Sequence, residues 1–164
     1  MVGNSARTWA HALHMSGTNG TVVCMDTWLG DVNMRVWKGL WLGPQGRLGQ
    51  PRLFEQFMAN VAGSGFREII LPVGTSASVG LRYYQRLLPS IPRPYIIYVD
   101  AAHQFGETLD EIRESWKLVA PGGLVMGDDY HHLWPGVQAA VTTLRTPLQH
   151  DTLSIPLHMR ALGP

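Results

Sequence analysis

The sequence is poor in features that mark several broad classes of protein. Its 164 residues include one cysteine, Cys24, so a disulfide within the chain is excluded. Only 15% of the residues are charged, and 13 basic against 12 acidic side chains leave a formal charge of +1. Lysine and arginine form no long run, so the electrostatic footprint of a nucleic-acid-binding protein is missing. We therefore expect no DNA or RNA partner.

Long apolar runs are also absent. No apolar stretch reaches the roughly 20 residues that a membrane-spanning helix requires. The amino terminus lacks the charged, then apolar, then small-residue order of a signal peptide. We therefore predict a cytoplasmic protein with no membrane partner. The sequence does contain 45% hydrophobic residues, enough for one sizeable core, and its length favours a single domain over residues 1–164.

Short apolar runs alternate with segments of helical period along the chain. This pattern predicts an α/β fold with a doubly wound, mostly parallel sheet and helices on both of its faces. The predicted strands are residues 21–25, 68–72, 95–99 and 124–127, and the predicted helices are residues 7–15, 52–62, 76–88, 107–119 and 136–143.

The helix over 107–119 has an apolar stripe and a charged face. The stripe that we expect to face the sheet consists of Leu109, Ile112, Trp116 and Val119, and the side chains that we expect in solvent are Asp110, Glu111, Glu114 and Lys117. Residues 30–51 have no clear period and contain two tryptophans, Trp37 and Trp41. A loop of this length predicts a lid over a ligand, and the alternatives are an aromatic satellite core or an oligomer contact.

Carboxylates follow two of the predicted strands. The strand 95–99 runs into Asp100 and then His103, and the strand 124–127 runs into Asp128 and Asp129. Because parallel strands end at one edge of a sheet, we expect these acids to meet around a single ligand or metal. The alternatives are a solvated turn for the paired aspartates and a helix cap for the histidine.

Several segments together resemble one enzyme family. They are residues 22–31, residues 54–61, Ser76, residues 100–103, residues 127–130 and residues 134–137. In this order and spacing they resemble the class I S-adenosylmethionine-dependent methyltransferases, most closely the metal-dependent O-methyltransferases that act on macrolide sugars. The resemblance covers nearly the whole chain. It implies a Rossmann-like fold, S-adenosylmethionine as cofactor, and methylation of a hydroxyl on a small molecule, a sugar or a glycoside.

The resemblance implies a set of cofactor-binding residues, namely Gly3, Asp26, Thr27, Trp28, Ser76 and Asp100. An acid at the position of Asp26 accepts hydrogen bonds from the two ribose hydroxyls, which is a charge-assisted and selective contact. The alternative is that Asp26 caps the turn after its strand. Ser76 matches a position near the adenine, and it is also a good N-cap for the following helix, so both roles can coexist.

The resemblance also implies a metal site and a base. Asp100, Asp128 and Asp129 would hold Mg²⁺, for which their hard oxygen ligands are suited. The ion would orient two substrate hydroxyls and lower the pKa of the one that reacts. His103 matches the general base, with Asp100 as its catalytic partner, because an imidazole takes up a proton readily near neutral pH.

One departure from the family stands at the amino terminus. The family's first strand ends in Glu-Val-Gly and further glycines, whereas this sequence reads Met1-Val2-Gly3 and has no second glycine in residues 4–7. We expect the first strand to be truncated or absent. Three explanations stay open: a sequence that starts late, a homo-oligomer or partner chain that completes the sheet, or a remnant without catalysis. The last would make the chain an inactive methyltransferase-like subunit that serves in binding or assembly.

Overall fold

The structure is a computed structural model that describes residues 2–30 and 51–145, without the side chain of Arg145. The lid predicted over residues 30–51 therefore lies almost wholly outside the described residues. The chain divides into two compact units, Met1–Ser76 and Ala77–Pro164. A single domain over the whole chain stays a prediction of the sequence.

Helices and parallel strands alternate within the described residues, which confirms the predicted α/β class. In chain order the elements are α1 (Asn4–Met15), β1 (Val22–Asp26), α2 (Leu53–Ala62), β2 (Ile70–Gly74), α3 (Ala77–Arg82), α4 (Tyr84–Leu87), β3 (Ile96–Val99), α5 (Phe105–Leu118), β4 (Leu124–Gly127) and α6 (Pro135–Arg145). Each predicted strand is found, although β2 lies two residues further along. The helix predicted over 76–88 is split, because Tyr83 adopts φ −106° and ψ 16°, outside the helical region.

The first unit is built on a parallel pair of strands. β1 pairs with β2 from Val22 opposite Ile70 to Asp26 opposite Gly74. Helix α1 packs against both strands. Helix α2 buries side chains that recur every four residues and so share one face of the helix: Leu53, Phe57 and Val61. They join a core completed by Ala6, Ala10, Trp28 and Ile70. Burial of each large side chain in this core contributes about 1.5–3 kcal/mol.

The start of the described chain is a turn held against α2. Gly3 has a left-handed φ of 79°, and a β-carbon there would lie 2.9 Å from Cδ2 of Phe57. Glycine is therefore favoured at this position by both its backbone angle and the space around it. The Asn60 side-chain amide donates to the Val2 carbonyl over 2.9 Å. Helix α1 begins directly after this turn. The truncation or absence of the family's first strand stays a prediction.

The second unit contains the other parallel pair. β3 pairs with β4 from Ile96 opposite Leu124 to Val99 opposite Gly127. Helix α5 packs against both strands, and α6 and α3 pack against α5. The carboxyl end of α5 is capped by Arg93, whose guanidinium donates to the carbonyls of Leu118 at 2.7 Å and Val119 at 2.9 Å.

The buried face of α5 differs from the predicted one. It consists of Thr108, Glu111, Ile112, Ser115 and Leu118. The prediction that Glu111 points into solvent is therefore wrong, since only 4% of this residue is exposed. The small polar side chains of Thr108 and Ser115 also lie on the buried face. The centre of this face is therefore shifted by about one residue toward the amino terminus relative to the predicted apolar stripe.

None of the helices in residues 2–30 and 51–145 combines the length and the apolar character needed to traverse a bilayer.

Replacement of Gly123 by alanine tests the packing at the entrance to β4. A β-carbon there would lie 2.6 Å from the Tyr95 carbonyl oxygen, 2.7 Å from Cγ2 of Val119 and 2.9 Å from the Ala120 carbonyl oxygen. We expect urea unfolding to show a loss of about 1–3 kcal/mol from this overpacking. The control is Gly106→Ala in the first turn of α5, where a β-carbon meets nothing within 4 Å. Equal stabilities of the two variants would contradict the described packing.

Candidate active site

The pairing of β3 with β4 brings two loops to one edge of their sheet. Val99 and Gly127 are partners at the carboxyl ends of the two strands. The ladder is extended by one bond, in which the Asp128 N–H donates to the Val99 carbonyl over 3.1 Å. The residues that follow, Asp100 on one strand and Asp128 and Asp129 on the other, therefore leave the sheet side by side.

Three of the predicted site residues converge at this edge. One ligand atom from each of Asp100, His103 and Asp129 lies within 4.8 Å of the other two. Within it, His103 Nε2 and Asp129 Oδ2 are 2.7 Å apart. The His103 side chain is 15% exposed and that of Asp129 is 36% exposed, so the cluster is partly accessible to solvent. The roles of these residues stay predictions, but their proximity is a property of the fold.

The fourth predicted residue, Asp128, makes different contacts. Its Oδ2 accepts a hydrogen bond from the Tyr98 hydroxyl over 2.6 Å, and its Oδ1 accepts the Asp129 N–H over 2.8 Å. Asp129 itself has a φ of 59°, a left-handed conformation that aspartate tolerates better than most residues. The bond from its own amide to Asp128 therefore supports an uncommon backbone conformation at the residue that faces His103.

Tyr98 is a contributor that the sequence did not reveal. Burial raises the pKa of its hydroxyl well above the ordinary value, and the hydrogen bond to Asp128 and the charges of the nearby aspartates raise it further. The hydroxyl therefore keeps its proton and donates a hydrogen bond to Asp128. A signal was present, because Tyr98 pairs with Met126, two residues before Asp128, and diagonal neighbours on one face of a sheet are within reach of an aromatic side chain.

His103 is packed against the start of α6. The rings of His103 and Trp134 are stacked, with centroids 4.0 Å apart and an interplanar angle of 25°. Gly136 lies against the backbone of residues 103–105, and a β-carbon there would clash with the His103 carbonyl and lie 2.8 Å from the Phe105 nitrogen. Helix α6 begins at Pro135, as its fixed φ favours. These contacts restrict both the ring and the backbone of His103.

Glu111 lies beneath the loop that carries Asp100 and His103. Its Oε2 accepts the Ala102 N–H over 3.4 Å. The Thr108 hydroxyl donates to the carbonyl of the same alanine over 2.8 Å. Burial raises the pKa of Glu111 from 4.5 to about 7, and the charges of Glu107 and Asp110 add to the rise, whereas the Ala102 hydrogen bond and His103 oppose it.

The predicted cofactor residues other than Asp100 lie in the first unit. Asp26 ends β1, is exposed, and accepts the Trp28 N–H at Oδ1 over 2.8 Å, which is the turn-capping contact. Thr27 accepts the Leu29 N–H over 3.3 Å. Gly3 lies in the turn before α1, and the exposed Ser76 directly precedes α3. Their roles toward a cofactor stay predictions.

Trp28 combines an uncommon backbone with burial. Its φ is 51°, which is rare for a bulky residue, and it is 7% exposed. Its ring lies 4.9 Å from that of Phe54 and 5.5 Å from that of Phe57. The described contacts of Trp28 are therefore with the core of the first unit, and they hold the end of β1 in a fixed turn.

The pKa of Glu111 predicts a pH-dependent stability. Between pH 4.5 and about 7 the folded protein keeps a proton that the unfolded chain has lost, so the free energy of unfolding falls as pH rises. Relative to Glu111→Gln, the wild type should lose at most about 3 kcal/mol across this window. Urea unfolding at several pH values measures it, with Glu55→Gln on exposed α2 surface as control. Parallel curves for wild type and Glu111→Gln would contradict the buried, protonated carboxyl.

Solved structures of the enzyme CalS11 are among those similar to this chain. A crystal structure of CalS11, a calicheamicin methyltransferase, is 20% identical over 90% of this chain and 65% of that chain, with a TM-score of 0.55. The apo structure of CalS11, described as a TDP-rhamnose 3'-O-methyltransferase in calicheamicin biosynthesis, is 17% identical over 90% of this chain and 64% of that one, with a TM-score of 0.54.

These likenesses support the Rossmann-like α/β fold, and the chain spans slightly less than two thirds of the length of each CalS11 chain. No curated protein matches the sequence. A family model described as a methyltransferase domain matches residues 1–130, which is well over half of the chain. The chain therefore belongs to this methyltransferase-domain family.

Proposed function

We propose that this chain binds S-adenosylmethionine and methylates a hydroxyl oxygen of a small molecule, with a sugar or glycoside as the acceptor class. The observation that carries the proposal is the convergence of Asp100, His103 and Asp129 at the shared end of two parallel strands, in a chain of the methyltransferase-domain family. The similar enzyme CalS11 is described as a TDP-rhamnose 3'-O-methyltransferase, which supports a sugar as the acceptor class.

The donor set at this edge fits a hard divalent cation. Asp100 and Asp129 place carboxylate oxygens within 4.8 Å of each other, and like charges this close favour a bound cation. We propose that they hold Mg²⁺, with Asp128 as a further ligand from the same loop. When bound, the ion would neutralise the acids and lower the pKa of an acceptor hydroxyl.

The end of β1 suits the cofactor's ribose. Asp26 is exposed there and uses Oδ1 for the Trp28 N–H. A carboxylate has acceptor sites on both oxygens, so this contact leaves capacity for two ribose hydroxyls. Thr27, Ser76 and Gly3 would lie near the same ligand. The cofactor supplies the electrophilic methyl group of its sulfonium.

His103 would act as the general base. In the tautomer that carries a proton on Nε2, this nitrogen donates to Asp129 Oδ2 over 2.7 Å and Nδ1 carries the lone pair. His103 would take the proton of the acceptor hydroxyl, and its oxygen would then be the nucleophile for the methyl group that S-adenosylmethionine would supply. Asp129 orients the imidazole and offsets the positive charge that the ring acquires.

Replacement of His103 by alanine tests this assignment. We expect turnover to fall about 100-fold or more, as for loss of a general base, with binding of S-adenosylmethionine unchanged. Calorimetric titration measures cofactor binding with and without Mg²⁺. Methyl transfer to a panel of nucleotide-linked sugars that includes TDP-rhamnose measures turnover.

The matched control is His132→Ala, which removes an exposed histidine near the same edge. Wild-type turnover in His103→Ala would remove His103 from the mechanism. If the wild type releases no heat with S-adenosylmethionine under either condition, the proposed function fails and the chain is an inactive subunit of the same fold.

A further inference from the structure

The loop between β3 and α5 is held at its middle residue by α5. Ala102 lies between Asp100 and His103, and both of its backbone polar groups bond to side chains of this helix. Its N–H donates to Glu111 Oε2 over 3.4 Å, and its carbonyl accepts from the Thr108 hydroxyl over 2.8 Å. A residue bound at both groups cannot rotate its peptide planes without breaking one of the bonds.

The identity of the residue beneath the loop is unexpected on packing grounds. Glu111 is 4% exposed and is the one ionisable side chain on the buried face of α5. A buried carboxyl is costly unless it is hydrogen-bonded, whereas an apolar side chain of similar size would be buried favourably there. What glutamate provides at this position, and leucine would not, is an acceptor for the Ala102 N–H.

The same loop is held from its other side by α6. Trp134 stacks on the His103 ring with a centroid separation of 4.0 Å, and Gly136 lies against the His103 carbonyl. The loop is thus clamped between two helices, with Ala102 bonded to α5 and His103 packed on α6. Loss of either contact would allow the loop, and His103 with it, to move relative to Asp129, which follows the neighbouring strand.

We propose that Glu111 is a positioning residue, which holds Ala102 in place and thereby sets the location of the His103 imidazole against Asp129. Its consequence for catalysis rests on the proposed function, but its consequence for the geometry of the loop does not. Glu111 touches no substrate in this proposal and acts through Ala102. A misplacement of about 1 Å at a reacting group costs on the order of 100-fold in rate.

The test compares Glu111→Gln with Glu111→Leu. Both variants are neutral and of similar size, but only glutamine keeps an acceptor for the Ala102 N–H. Nitrogen-15 NMR of the histidine rings reports the contact of His103 Nε2 with Asp129, and amide hydrogen exchange reports the Ala102 bond. Both readouts are independent of any enzymatic activity.

We expect Glu111→Leu to accelerate exchange at Ala102 at least about 10-fold and to shift the His103 ring signals away from their wild-type positions, as expected when a local opening becomes easier. Turnover should fall about 10- to 100-fold with an unchanged KM for S-adenosylmethionine, because the base is misplaced while cofactor binding is intact. Glu111→Gln should retain the wild-type ring signals and turnover. The control Glu107→Leu, on the exposed face of the same helix, should behave like the wild type.

Thr108→Val removes the other bond to Ala102 without a change of shape. It should shift the same ring signals, so the clamp stays testable if Glu111→Leu does not fold. Unaltered His103 signals and Ala102 exchange in folded Glu111→Leu would overturn the proposal. If the wild type binds no S-adenosylmethionine but the ring signals move as expected, the proposed function fails and the positioning role stands.

Discussion

The parallel register of β3 with β4 is the constraint on which the site depends. Val99 and Gly127 are paired at the ends of these strands, and the Asp128 amide extends the ladder by one bond to the Val99 carbonyl. A slip of one residue in this register would turn the alternate side chains of one strand to the opposite face. It would also separate the aspartates that follow the strands. The cluster of Asp100, His103 and Asp129 is thus a consequence of backbone pairing first and of side-chain identity second.

The helices beside this sheet hold the loop after β3 in a defined conformation. Polar side chains of α5 bind the loop after β3 through Ala102, and the first turn of α6 packs against His103. The loop after β4 is stabilised from within, since Asp128 accepts the amide of Asp129, whose φ is 59°. Each loop therefore has its own source of rigidity, and the 2.7 Å contact between His103 and Asp129 joins the two.

Much of this was accessible from the sequence, because strand ends and helix periods follow local rules. The four strands with their order, the acids after β3 and β4, and a helix after the second pair of acids were all predicted. The burial of Glu111 was not predicted, because the apolar-stripe rule assigns a charged residue to solvent. In the structure the buried face of α5 includes Thr108 and Ser115, and Glu111 lies on that same face. The break at Tyr83 was not predicted either. The bond from Tyr98 to Asp128 follows from the register of β3 with β4, which joins segments that are distant in the sequence.

The central claim is that the acids and the imidazole at this edge form one cation site beside a base. A crystal structure of the protein with Mn²⁺, located by anomalous scattering, tests it most directly. The account predicts a peak bonded to oxygens of Asp100 and Asp129 at about 2.1 Å, the distance typical of Mg²⁺ ligands, with the His103 ring adjacent. A structure in which Mn²⁺ occupies other residues, or in which Asp100 and Asp129 point apart, would contradict it.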